Sequence, residues 1–76
     1  IISGLTSWGI YVELPNTVEG MVSTNYLDDD DYIYEEKLMC YRGLTRGKVY
    51  KMGDKVKVRV YKTDMALRTI DFVFDE

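Results

Sequence analysis

Alternating apolar and polar residues predict a β-hairpin near the start of the chain. Between positions 9 and 14 every second residue is aliphatic, namely Ile10, Val12 and Leu14. A period of two is typical of a strand with one face on the core. Pro15-Asn16 interrupts the period with turn chemistry, and β-branched Val18 begins a second strand that reaches Val22. The two strands are predicted to pair antiparallel.

Two aromatic residues, Trp8 and Tyr11, flank Gly9 in the first of these strands. Strict alternation places their rings on opposite faces of the sheet. An extra residue at a Gly9 bulge brings both rings onto the outer surface, and Gly inside a strand often marks a bulge or a close backbone approach. We favour two exposed rings, a surface suited to base stacking. The alternative is that both rings lie in the core.

The clearest alternation in the chain spans residues 55–62 and predicts a strand with basic residues outward. Its inward positions are predicted to be Val56, Val58 and Val60. A turn at 63–67 follows, and Arg68 is predicted to begin the last strand. Its inward positions are predicted to be Ile70, Phe72 and Phe74.

The middle of the chain has no clear period. The acidic run at 28–31 disfavours both strand and helix. Residues 32–41 are rich in Tyr and fit either a strand or a short helix ending near Gly43; we favour irregular structure with a brief extended piece. Residues 44–50 are interpreted as a loop leading into a short strand.

With residues 1–6 as a first strand, the main strands number five. The predicted fold class is therefore all-β, a five-stranded antiparallel OB-fold barrel with a long irregular connection between strands 3 and 4. A small SH3-like barrel is the alternative.

Length and composition limit the remaining possibilities. The 76 residues, with 46% hydrophobic residues and one Pro, predict a single folded domain over 1–76. One Cys and no His exclude an intramolecular disulfide and a structural zinc site, so we expect a reducing, cytoplasmic setting. No apolar run approaches the ~20 residues of a membrane span, and no membrane partner is expected. Because the chain begins at Ile1 inside a predicted strand, we expect a fragment of a longer protein with a truncated first strand.

The charge is unevenly distributed around a net charge of -3. Residues 42–62 hold eight basic residues and one acidic residue, whereas residues 13–37 hold eight acidic residues and one basic residue. Four basic residues are predicted to line a groove beside the rings and to contact phosphates, namely Lys48, Lys51, Lys57 and Arg59. The alternative for them is a solvated face that discourages edge aggregation.

Catalytic and metal-binding motifs are missing from the sequence. It contains no His base, no phosphate-cradling Gly loop and no recognisable carboxylate pair, so we expect no enzymatic activity from these residues. The acidic run lacks the spacing of a calcium loop and is predicted to be a solvated loop. No metal site and no cofactor are expected.

Several motifs occur along the chain in a recognisable order. They are Gly4, Thr6, Trp-Gly-Ile-Tyr-Val-Glu at 8–13, Glu-Gly-Met-Val at 19–22, Gly-Lys-Val-Tyr at 47–50 and Gly-Asp-Lys-Val-Lys-Val-Arg-Val at 53–60. This ordered set resembles the S1 RNA-binding domain, an OB-fold family, and is most similar to the S1 domain at the end of bacterial ribonuclease R. The resemblance implies that Trp8 and Tyr11 lie on the RNA-binding surface, together with Asp64 and Arg68 beside the last turn. An ion pair between Asp64 and Arg68 is the structural alternative. Ser23 stands where the family usually has a stacking His.

The resemblance also implies a function. A parent 3′-to-5′ exoribonuclease would carry its metal, magnesium, in a separate catalytic domain, while this non-catalytic module grips single-stranded RNA and contacts the other domains of the parent. Two alternatives stay open. One is a protein-interaction module docking on a neighbouring domain, and the other is an S1 domain of a translation-associated RNA-binding protein.

Overall fold

A computed structural model describes residues 1–75, which form eight strands and no α-helix. The strands are β1 (Ile2–Thr6), β2 (Gly9–Glu13), β3 (Glu19–Ser23), β4 (Tyr32–Glu35), β5 (Cys40–Gly43), β6 (Val49–Lys51), β7 (Val58–Asp64) and β8 (Thr69–Phe74). A 3₁₀ turn, Thr24–Tyr26, follows β3 directly. Within residues 1–75, no helix is long and apolar enough to cross a membrane.

The five predicted main strands form one sheet in the order β1-β2-β3-β8-β7. All neighbours are antiparallel except β3 and β8, which pair in parallel through Met21 and Asp71. The Ile2 N–H donates to Asp54 O, and the Gly53 N–H donates to Ile2 O, both at 2.9 Å. These bonds tie the segment before β7 to β1. The all-β class and the five predicted main strands are confirmed.

The connection after β3 is more regular than predicted. β4, β5 and β6 form a second, antiparallel sheet in that order. The strand alternative is therefore confirmed for Tyr32–Glu35, whereas mainly irregular structure over 32–41 and the helical alternative are wrong. Tyr41 and Tyr50 hold this sheet to the barrel because both rings lie in the core. The Tyr41 hydroxyl donates to Thr6 O, and the Tyr50 ring stacks on Phe74 with the centroids 4.5 Å apart. Burial raises the pKa of the Tyr41 hydroxyl.

The core confirms most of the predicted inward positions. Val12 and Phe72 are fully buried, and Val56, Val58 and Ile70 pack partly buried against the same cluster. Val60 is 55% exposed, so its predicted inward position is wrong. β7 is the edge strand of the sheet, and its residues 59–63 are all exposed. Alternation there does not correspond to a buried face.

The acidic run contains a structural anchor, Asp30. Its carboxylate accepts the backbone N–H groups of Asp31 (2.7 Å), Thr45 (3.0 Å) and Arg46 (2.7 Å). These donors, that of Arg46 foremost, hold the pKa of Asp30 below its usual range. Asp30 therefore fixes the loop between β5 and β6. The prediction of a solvated loop is wrong at this residue. Among residues 1–75, no cluster of His, Cys, Asp or Glu is placed to hold a metal ion.

We predict that Asp30→Asn lowers the melting temperature near neutral pH and that the difference from the unmodified chain vanishes in acid. A carboxyl group whose folded-state pKa is depressed stabilises the fold above its unfolded pKa, about 4 for Asp, and loses that contribution as the pH falls through the folded-state pKa. Thermal unfolding followed by circular dichroism between about pH 7 and about pH 3 measures this difference. The exposed Asp28→Asn serves as the control. A difference in melting temperature that stays constant down to the lowest pH would contradict the anchoring role.

Candidate nucleic-acid interface

Trp8 lies in the two-residue turn between β1 and β2 and is 58% exposed. Its backbone N–H donates to Thr6 Oγ1 at 3.3 Å. Gly9 pairs in register with Thr6 and with Ser23, so the predicted bulge at Gly9 is wrong. A Cβ at position 9 would lie 2.7 Å from the Met21 sulfur, so Gly9 provides a close approach of β3 instead.

The two rings nevertheless share one surface. The Trp8 Nε1–H donates to the Tyr11 hydroxyl at 3.3 Å, and Tyr11 is partly exposed on the outer face of β2. The turn position of Trp8, rather than a bulge, brings the rings together. An exposed indole that is hydrogen-bonded to a second aromatic side chain offers a flat face to solvent.

The outer face of the sheet carries a row of residues in register across all five strands. In register, the row runs from Gly4 through Tyr11, Met21 and Asp71 to Lys62. A shallow cleft of about 280 Å³ lies on this face, lined by Tyr11, Met21, Arg68 and the carboxylates of Glu19 and Asp71, among others.

Arg68 ends the turn between β7 and β8, one residue before the strand that it was predicted to begin. Its φ of 55° places it in the left-handed region. Asp64 Oδ1 accepts the backbone N–H of Leu67 at 3.0 Å, which fixes the turn without Arg68. Within residues 1–75 no ion pair joins Asp64 to Arg68, so that structural alternative is wrong, and Arg68 lies in the cleft with Tyr11.

Ser23 lies beside the Trp8 turn, at the end of β3. The Thr24 N–H donates to Trp8 O at 3.2 Å, which holds the two segments together. The Ser23 hydroxyl accepts the Asn25 N–H at 3.2 Å and caps the 3₁₀ turn. The Ser23 oxygen thus has a structural role.

The four predicted basic residues do not line one groove. Lys48 and Arg59 lie in a separate cleft of about 410 Å³, and Arg59 Nε is 3.7 Å from Asp75 Oδ1. Lys51 lies on β6, in the second sheet. Lys57 lines a third depression, together with Lys55 and Asp75. Lys48 and Arg59 therefore share one cleft, whereas Lys51 and Lys57 lie apart from it.

Three surface residues at these clefts were missed in the sequence. Met21 lies in the cleft beside Tyr11, and Tyr26 and Tyr61 line the larger cleft. Tyr61 carried a usable signal, because the alternation of 55–62 places it outward among basic residues. Tyr26 carried none, since it lies in a stretch without a period.

Comparison with known proteins agrees with this architecture. Residues 1–73 match the family model of the S1 RNA binding domain. The chain is 41% identical over 73 residues to ribonuclease R of Aquifex aeolicus, covering 95% of this chain and 10% of that protein. It is 36% identical over 73 residues to ribonuclease R of Escherichia coli K12, covering 95% of this chain and 9% of that protein.

A solved structure of Mycoplasma genitalium RNase R in complex with ribose methylated single-stranded RNA superposes with a TM-score of 0.89 at 28% identity. The match covers 97% of this chain and 12% of that one. The chain thus spans about a tenth of the length of these relatives. Because the fold superposes and the family model matches residues 1–73, this chain belongs to the S1 RNA-binding domain family and is similar to the S1 domain of ribonuclease R.

Proposed function

We propose that this domain holds single-stranded RNA by stacking bases on Trp8 and Tyr11 and by contacting phosphates with Arg68, without catalysing a reaction itself. The observation that carries the proposal is the exposed Trp8 indole, hydrogen-bonded to Tyr11 on the outer face of β2. In OB-folds, the face of the second and third strands and the loops joining strands 1–2 and 4–5 bind oligonucleotides. Trp8 occupies the first of these loops and Arg68 the second.

The chemistry of this surface favours a single strand over a duplex. Bases of single-stranded RNA are free to leave their own stack and lie on aromatic rings, and every base has a π-face, so stacking tolerates any sequence. The cleft around Arg68 also contains Glu19 and Asp71, so its electrostatic attraction for a polyanion is modest. Stacking is therefore the main source of affinity.

The similarity to ribonuclease R supports an exoribonuclease as the parent protein. We propose that this parent degrades RNA from 3′ to 5′ in a separate catalytic domain, which would hold magnesium, while this domain grips the substrate. The similarity favours that parent over a translation-associated RNA-binding protein. Docking on the rest of the parent is a second role, favoured by exposed apolar side chains on the second sheet and its turns. These include Ile33, Leu38, Met39, Leu44 and Val49.

Titration with labelled oligo(U) and with a duplex RNA tests the proposed function. We expect binding to oligo(U), weaker binding to the duplex, and a log–log salt dependence of about -0.7 for each phosphate contacted. Equal affinity for the duplex, or oligo(U) binding that does not change between low and moderate salt, would contradict the proposal.

Arg68→Ala is predicted to lower affinity to a similar extent for all RNA sequences and to flatten the salt slope by roughly 0.7, because one phosphate contact is lost. The melting temperature should stay nearly unchanged, because Arg68 is exposed and because Ala and Arg, both non-glycine residues, tolerate a left-handed φ about equally. Lys37→Ala, which removes an exposed charge from the turn between β4 and β5, is the matched control. If the two variants titrate alike, Arg68 does not contact RNA.

A further inference from the structure

The larger cleft is built around two tyrosines from distant parts of the chain. Tyr26, in the 3₁₀ turn after β3, meets Tyr61 on β7 with the ring centroids 4.9 Å apart and the planes at 51°. β7 has a register shift between Val60 and Lys62, and Tyr61 is the residue between them. Tyr61 is 58% exposed, so most of its ring faces solvent despite this contact.

This cleft continues the surface that carries Trp8. β3 and β8 are parallel and pair at Met21 and Asp71, so Ser23 and Val73, each two residues further on, occupy the same face. Val73 pairs in turn with Arg59 on β7. Ser23 lies beside the Trp8 turn, whereas Val73 and Arg59 line the larger cleft.

The charges around the cleft favour a base over a run of phosphates. Lys48 and Arg59 line it together with Asp28 and Asp29, and Arg59 also pairs with Asp75, so the cleft has no excess of positive charge. A volume of about 410 Å³ falls within the range of roughly 300–1,000 Å³ for clefts that take small organic ligands. A planar, uncharged base stacked on an exposed phenol ring suits both the charge and the volume of the cleft.

We propose that the Tyr26–Tyr61 cleft is a second nucleotide subsite, in which a base stacks on Tyr61 and its flanking phosphate lies towards Arg59. A strand held on Trp8 and Tyr11 extends over Ser23 and Val73 into this cleft. The proposal rests on the proposed function and adds a length dependence to it. RNA long enough to reach both subsites binds through both, and a short fragment binds through the first alone.

The test compares Trp8→Ala, Tyr61→Ala and Tyr61→Phe with the unmodified chain, using labelled oligo(U) of about four and about twelve nucleotides, both within the roughly 4–16 nucleotides that OB-folds bind. We expect Tyr61→Ala to weaken binding of the longer oligonucleotide about fivefold or more, the low end for one stacked base. Binding of the short one should change less than about twofold. Tyr61→Phe keeps the ring and should match the unmodified chain, whereas Trp8→Ala should weaken both lengths.

Two results would overturn the second subsite: an unchanged affinity of Tyr61→Ala for the long oligonucleotide, or an equal loss at both lengths. The melting temperature of Tyr61→Ala, together with the Tyr61→Phe variant, separates loss of stacking from loss of fold. A failure of the proposed function is recognised differently, because the unmodified chain would then bind neither oligonucleotide or Trp8→Ala would bind both normally.

Discussion

Replacing Trp8 with alanine is expected to lower the affinity for oligo(U) by about 5- to 150-fold, the equivalent of the ~1–3 kcal/mol that one base–aromatic stack contributes. The indole is 58% exposed and makes one side-chain hydrogen bond, to the Tyr11 hydroxyl. Removing it takes little from the core, so the melting temperature should change by only a degree or two, as is usual for exposed positions.

The controls for this variant separate stacking from hydrophobic exposure. Trp8→Phe keeps an aromatic face and should retain most of the affinity. Leu38→Ala removes a side chain that is 71% exposed in the turn between β4 and β5, and it should bind like the unmodified chain. Should Trp8→Ala bind as tightly as Leu38→Ala, base stacking on Trp8 is not the source of affinity.

Gly20→Ala is expected to lower the free energy of unfolding by about 1–3 kcal/mol, the usual cost of overpacking a core. A Cβ at position 20 would lie 2.6 Å from the Phe72 ring and 2.8 Å from Ile70 O. Phe72 is 1% exposed and has no room to move, and the carbonyl belongs to the backbone of β8. Relief therefore requires β3 and β8 to separate where they pair in parallel.

Gly4→Ala is the matched control, because a Cβ there meets only Tyr11, at an ordinary 3.6 Å. Urea unfolding of both variants measures the difference in stability as a difference in midpoint, and equal m-values show that the two transitions are comparable. The β3–β8 junction also places the turn with Arg68 beside Tyr11, so Gly20→Ala should weaken RNA binding as well. Equal unfolding midpoints for the two variants would contradict this packing.

The strands that alternation predicted correctly are those with one face on the core, such as β2 with Ile10 and Val12 and β8 with Phe72. The same pattern failed at Val60, since β7 is an edge strand whose residues 59–63 are all exposed. The second sheet was missed because its strands have three or four residues, too few to show a period. Its stability comes from tertiary contacts of the Tyr41 and Tyr50 rings.

The candidate site was predictable in its residues but not in its geometry. Gly9 indicates either a bulge or a close approach, and only the position of Met21 decides between them. The proximity of Arg68 to Tyr11 depends on the parallel pairing of β3 and β8, which joins residues about 50 positions apart and leaves no local sequence pattern. The Tyr26–Tyr61 contact likewise requires a turn and a register shift that alternation cannot show.

The most direct test of the account is the fluorescence of Trp8 during titration of the unmodified chain with oligo(U). Trp8 is the only Trp in the sequence, so the signal reports on one side chain. Stacking of a base on the indole changes its environment, and we expect the emission to change and to saturate with the same midpoint as the anisotropy of the labelled RNA. Emission that stays constant while the anisotropy saturates would show that RNA binds elsewhere on the domain.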